Sequence, residues 1–154
     1  MLESEEFRHL QEQERRNKKL IEHVYDELWN KRNIAVLDEC LAPDVVYSSP
    51  NMTCTGIEEY KNLYKMYAAA FEQSHVEILD TVVSHDKIFT RVLFTCVHTG
   101  DLEGIPASGK EVKMQAYTVC RLEHGKIVEE NELFDELGMM QQIGMELHMK
   151  ETVD

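Results

Sequence analysis

Hydrophobic positions follow a helical spacing in the first half of the chain. Two long helices are predicted, over residues 5–31 and 56–73. Apolar side chains recur at intervals of three and four in the second half of the first segment and throughout the second, so each of these stretches would bury one face. A shorter apolar stretch, 34–41, predicts a third helix that stops before Pro43. The same spacing returns at 137–147 and predicts a closing helix.

The spacing changes to strict alternation between the second long helix and the closing one, and β-branched residues become common. This pattern predicts strands over 76–84, 88–99, 111–123 and 126–134, preceded by a short strand over 45–48. Short turns at His85-Asp86 and His124-Gly125 would join neighbouring strands. Helices followed by hairpin-linked strands indicate an α+β fold, with N-terminal helices packed on one face of a curved antiparallel sheet.

Length and charge narrow the class of protein. The 154 residues fit one domain spanning 1–154, in which residues 1–14 form a projecting or frayed helix start. The net charge of −13 disfavours nucleic acid and anionic membrane surfaces as partners. The chain contains no apolar run long enough to span a membrane, and its four cysteines are widely spaced. We therefore expect a cytoplasmic location with reduced thiols. The alternative is an exported domain with two disulfides.

Counting outward from the His124-Gly125 turn predicts which strand residues face the helices. The count pairs Glu123 with Lys126 and places Asn131 opposite Thr118. One face of strand 111–123 is apolar, and it must be the interior face. The same register places three polar residues of the next strand on that face: Glu129, Asn131 and Asp135.

Buried polar groups are unfavourable unless they find partners or line a cavity, so we expect a pocket between the sheet and the helices. His98 lies on the interior side of strand 88–99, and its coincidence with Asn131 and Asp135 suggests a site. Purely structural roles for these residues stay open. An interior histidine is often a hydrogen-bonded core residue, and Asp135 is a suitable N-cap for the closing helix. A bulge could also shift the register and leave Glu129 in water.

No metal or organic cofactor is expected. The sequence contains no His-Glu-x-x-His motif, no Cys-x-x-Cys pair, no glycine-rich phosphate loop after a strand and no Gly-x-Ser-x-Gly elbow.

Two segments resemble the SnoaL-like polyketide cyclases. Val97-His98-Thr99-Gly100 with Gly104-Ile105-Pro106-Ala107-Ser108-Gly109-Lys110 is similar to their central segment, and residues 125–129 with 135–144 are similar to their closing one. The resemblance implies the nuclear-transport-factor-2-like (cystatin-like) fold, a cone-shaped α+β barrel that encloses one pocket and commonly dimerises. It further implies that Asp135 is the general acid/base of an intramolecular aldol closure.

Three functions follow as hypotheses. The first is a cofactor-free lyase or isomerase, similar to polyketide or ester cyclases, acting on a small apolar carbonyl compound. Asp135 and His98 would be catalytic, and Asn131, Glu129, Met114 and Phe94 would contact the substrate. The second is a non-catalytic binding protein for an apolar metabolite. The third is an interaction module, a homodimer formed through outward-facing residues of the sheet: Tyr117, Val119, Val128 and Phe134.

Overall fold

A computed structural model describes residues 2–151 of the chain. The first long helix, α1 (Leu2–Tyr25), continues into a single π-helical turn, Asp26–Asn30, and is followed by α2 (Ala35–Cys40). The second long helix is α3 (Ile57–Ala70), and α4 (Glu136–Gln142) closes the fold. These helices match the predicted ones in type and order.

Six strands form one sheet. They are β1 (Leu41–Ser49), β2 (Met52–Thr55), β3 (Phe71–Ser84), β4 (Lys87–His98), β5 (Glu111–Glu123) and β6 (Lys126–Phe134), in the spatial order β2-β1-β6-β5-β4-β3. The four long strands predicted from alternation are all present, while the short hairpin strand β2 was not predicted. The architecture is the expected α+β one, with the N-terminal helices packed on a curved sheet.

The sheet is mixed rather than wholly antiparallel. Strand β1 runs parallel to β6, whereas the other neighbouring pairs are antiparallel. The β1–β6 pairing is irregular between Leu41 and Val46, a stretch that contains Pro43. Proline has no N–H to donate to a neighbouring strand, which suits it to such an interruption.

The β5–β6 register agrees with the sequence count only next to the turn. His124 and Gly125 both have positive φ, as this type of two-residue turn requires, and Leu122 pairs with Ile127 as predicted. The register then shifts, so that Arg121 pairs with Glu129 and Val128 becomes an extra residue in β6. A β-bulge of this kind reverses the faces of every later side chain in the strand.

The predicted interior face of β6 is therefore wrong beyond Ile127. Glu129 and Asn131 now belong to the outer face, and Leu133, also expected inside, is 58% exposed. Phe134, expected to point outward, packs in the interior. Glu130 and Glu132 take the inner positions instead.

The closing helix is shorter than predicted. It ends at Gln142, and Gly144 adopts a φ of +107°, a left-handed conformation that terminates helices. Among residues 2–151, no helix combines the length and apolar character needed to cross a membrane.

Candidate functional site

A two-lobed cavity lies between the sheet and the helices. The two lobes share three lining residues: Trp29, Tyr67 and Glu132. These shared residues place the two lobes next to each other.

The first lobe contains two carboxyl groups. Glu130 and Glu132 are two residues apart on β6, so both side chains point into the same space. Glu130 is only 8% exposed, and Glu132 is half-buried. Two acids on one interior face demand partners, and the structure supplies them.

Tyrosine hydroxyls bind both carboxyls. Tyr60 on α3 donates to Glu130 Oε2 at 2.8 Å, and Tyr47 on β1 donates to Glu132 Oε1 at 2.8 Å. Tyr25 shares a 2.9 Å hydrogen bond with the Thr118 hydroxyl. The rings of Tyr47 and Tyr60 meet edge to face, which holds the two donors in place.

Burial raises the pKa values of both Glu130 and Glu132. Burial and then the charge of Glu132 raise the pKa of Glu130 to about 8, although the Tyr60 hydrogen bond opposes the rise. Burial also raises the pKa of Glu132, against the hydrogen bond from Tyr47. Two buried carboxyls cannot both ionise readily, so the pair retains a proton near neutral pH.

A π-helical turn positions the aromatic wall between the lobes. The Lys31 N–H donates to Asp26 O at 3.0 Å, the five-residue spacing that defines such a turn. The centroid of the Trp29 ring lies 5.0 Å from that of Tyr64 and 5.2 Å from that of Phe94, and both pairs meet edge to face. Ser74 donates to Trp29 O at 2.9 Å, which fixes this turn against β3.

The second lobe is almost entirely apolar. It contains Phe94 and Met114, two of the four residues expected from sequence to contact a substrate, together with Phe134 and Met139. Phe94 lies on β4 directly opposite Met114 on β5, so the prediction of a shared inner face for these two strands is confirmed.

Asp135 lies outside the cavity. Its side chain is exposed and accepts the Gly138 N–H at 2.9 Å, so it acts as the N-cap of α4. It borders a shallow outer groove beside Leu93 and Gln115. The sequence left two roles open for Asp135, a catalytic acid/base and a helix cap, and the structure shows the cap.

His98 is fully buried at the end of β4, away from the cavity lining. Its Nδ1 accepts the Ser108 N–H at 3.1 Å and lies 2.9 Å from the Ser108 hydroxyl, while its ring packs 5.4 Å from that of Phe71. Its Nε2 has no hydrogen-bond partner within residues 2–151. His98 therefore anchors Ser108, in the loop between β4 and β5, and the structure does not bring His98 to Asp135.

Glu129 and Asn131 form an outer-face network instead of lining the cavity. The Asn131 amide donates to Glu129 Oε1 at 3.1 Å, and Arg121 Nε donates to Glu129 Oε2 at 3.2 Å. These contacts lower the pKa of Glu129, the opposite of the shift at Glu130.

Sequence reasoning missed Glu130 and Glu132. Their alternation within Glu129-Glu130-Asn131-Glu132 was visible, but the count from the turn put the wrong members inside. The available signal was that β5 has one apolar face, whereas β6, its neighbour, carries acidic residues at successive positions and so on both faces. Within residues 2–151, no group of three or more histidine, cysteine or acidic side chains could hold a metal ion.

The family model described as SnoaL-like polyketide cyclase matches residues 19–143. The chain belongs to this family. No curated protein matches it by sequence. Glu130 and Glu132 fall inside the matched region, so the cavity of this SnoaL-like protein is part of the family domain.

Solved structures share the fold. A candidate SnoaL-like polyketide cyclase from Jannaschia sp. CCS1 is 22% identical with a TM-score of 0.81, covering 88% of this chain and 96% of that one. TsrD from Streptomyces laurentii is 28% identical with a TM-score of 0.74, covering 82% and 93%. A candidate polyketide cyclase from Acidithiobacillus ferrooxidans is 26% identical with a TM-score of 0.73, covering 83% and 94%.

Proposed function

We propose that this SnoaL-like protein catalyses a cofactor-free aldol-type ring closure or isomerisation of a mainly apolar carbonyl compound. Glu130 and Glu132 would be its acid–base pair. The observation that carries the proposal is the placement of two buried carboxyls in one aromatic cavity. Family membership supports a cyclase-type role, and the charge state of the pair supports proton transfer in both directions.

Glu132 is the better base because it borders both lobes. A ligand that fills the apolar lobe would bring its reacting carbon next to this carboxylate. The carboxylate removes a proton from the carbon beside a carbonyl, and the resulting enolate carbon attacks a second carbonyl carbon to form the new C–C bond. The Glu130 carboxylic acid then protonates the alkoxide, so the pair holds one proton before and after the reaction.

Tyr67 supplies a hydrogen-bond donor for the enolate oxygen. It lies where the two lobes meet, and its hydroxyl has no partner within the described residues, unlike those of Tyr47 and Tyr60. Burial raises the pKa of Tyr67 to about 12, so the hydroxyl keeps its proton at neutral pH. A neutral donor aimed at a developing oxyanion lowers the barrier.

The test is the closure of an aryl-substituted 1,5-diketone to its 3-hydroxycyclohexanone, the aldol product, followed by NMR. We expect Glu132→Gln and Glu130→Gln each to lower kcat by about 100-fold or more. Glu129→Gln is the matched control, because it removes a carboxyl of the same strand from the outer face, and it should stay within about threefold.

Asp135→Asn decides between this assignment and the one expected from sequence. Asparagine caps a helix about as well as aspartate, so the variant removes the charge and keeps α4. Activity retained in Asp135→Asn and lost in Glu132→Gln supports the cavity pair. The reverse result would overturn the proposal and restore Asp135 as the base.

A further inference from the structure

The wall of the cavity carries negative charge without any compensating cation. Among the described residues, neither lobe is lined by a lysine, arginine or histidine, and Glu130 and Glu132 are the ionisable acids that line it. A bound carboxylate or phosphate would therefore meet like charge in a desolvated space, which is strongly unfavourable.

Aromatic rings surround the two carboxyls. Six line the first lobe: Tyr25, Trp29, Tyr47, Tyr60, Tyr64 and Tyr67. The faces of such rings carry partial negative charge and attract organic ammonium groups, above all alongside a carboxylate. The overall charge of −13 adds a field that draws cations toward the protein.

We propose that the cavity selects a substrate bearing a positively charged amine, held between the tyrosine rings and the Glu130–Glu132 pair with its apolar part in the second lobe. The proposal rests on the proposed function for the identity of the site and adds the chemical class of the substrate. An ammonium beside Glu130 would also keep Glu132 ionised, which is the state that a base requires.

Binding of the cation is coupled to the proton of the pair. The titratable groups facing the two carboxyls are Tyr25 from α1, Tyr47 from β1, Tyr60 and Tyr67 from α3, and Cys120 from β5. Burial raises the pKa of each of these groups, so they stay neutral at physiological pH. The ammonium pairs with the Glu132 carboxylate while Glu130 keeps its proton for the reaction, and the affinity for the ammonium rises further at higher pH, where Glu130 ionises as well.

The sole tryptophan, Trp29, borders both lobes and reports binding by its fluorescence. The probes are phenyltrimethylammonium, its uncharged isostere tert-butylbenzene, and benzoate. At about pH 8 we expect the cation to bind roughly tenfold or more tighter than the isostere, and benzoate to give no saturable signal. Between about pH 6 and pH 9 the affinity for the cation should rise, and that for the isostere should not.

Variants locate the selectivity. Glu130→Gln and Glu132→Gln should each reduce the preference for the cation at least about threefold, while tert-butylbenzene still binds and shows that the cavity is intact. Glu129→Gln, on the outer face, should leave the preference unchanged. Equal affinity of the wild type for cation and isostere would overturn the proposal without any variant. A preference that survives both cavity substitutions would place the cation elsewhere on the acidic surface and would also overturn it.

The two proposals fail separately. Loss of diketone closure in Glu132→Gln without any preference for the cation would leave the acid–base function standing and reject the amine-bearing substrate. A preference for the cation that depends on Glu130, without diketone closure by the wild type, would support the binding proposal and count against the reaction.

Discussion

Replacing Glu130 with glutamine should stabilise the protein at alkaline pH. The carboxyl is buried in an aromatic cavity beside Glu132, and both its burial and that neighbour raise its pKa to about 8. Glutamine has nearly the shape of the protonated acid, and its amide oxygen can still accept the hydrogen bond that Tyr60 donates to Glu130. The substitution therefore removes the unfavourable charge and keeps the packing.

The direction in which stability changes with pH follows from how many protons the folded and unfolded states bind. In the unfolded chain, Glu130 ionises near its ordinary value of 4.5, whereas the folded protein keeps the proton until about pH 8. Between these values the folded state binds more protons, so the free energy of unfolding falls as the pH rises. The contribution is fully present below pH 4.5 and is lost by about pH 8. At about 1.4 kcal/mol per pH unit, the loss reaches up to about 5 kcal/mol.

The assay is urea unfolding from about pH 5 to pH 9, followed by the fluorescence of Trp29, the sole tryptophan. The wild type and Glu130→Gln should have similar stability at the acid end and diverge toward the alkaline end, with the variant more stable by several kcal/mol. Glu129→Gln should run parallel to the wild type in this range, because contacts on the outer face lower the pKa of Glu129. Parallel curves for the wild type and Glu130→Gln would refute the reasoning.

Three further predictions concern single contacts. Asp135→Ala should lower the free energy of unfolding by about 1 kcal/mol through loss of the α4 cap, and Asp135→Asn by a few tenths, as measured by urea unfolding; equal losses would argue against the cap. In the wild type, the hydrogen bond from Tyr60 lowers the pKa of Glu130, so Tyr60→Phe should raise that pKa and move the pH-dependent loss of stability to higher pH. An unchanged midpoint of stability against pH would contradict this. The homodimer stays a prediction, and Val119→Lys on the outer face, where the wild-type side chain is 40% exposed, should yield monomers in sedimentation velocity; a persistent dimer would reject this interface.

The helices and the inner faces of β4 and β5 were predictable because their patterns are local. Residues alternate without interruption along both strands, so Phe94 and Met114 could be assigned to the interior from spacing alone. The hairpin turn was equally predictable, since Gly125 tolerates the positive φ found there. The N-cap role of Asp135 was one of two readings that the sequence supported.

The inner face of β6 was not predictable in the same way. Its register changes at Val128, where the strand lies between β5 on one side and the parallel strand β1 on the other. The β1–β6 pairing is itself irregular near Pro43, far away in the chain. A bulge formed among three strands depends on contacts between distant segments, and no count along one hairpin contains that information.

The sequence by itself thus determined the order of elements, the family resemblance and the existence of an apolar sheet face against the helices. Only the tertiary structure decided which acids enter the cavity, because a single extra residue in β6 exchanges Glu129 and Asn131 for Glu130 and Glu132. The physical reason is the two-residue period of a strand: local composition limits which side chains can be buried, while pairing with both neighbouring strands selects which of them are.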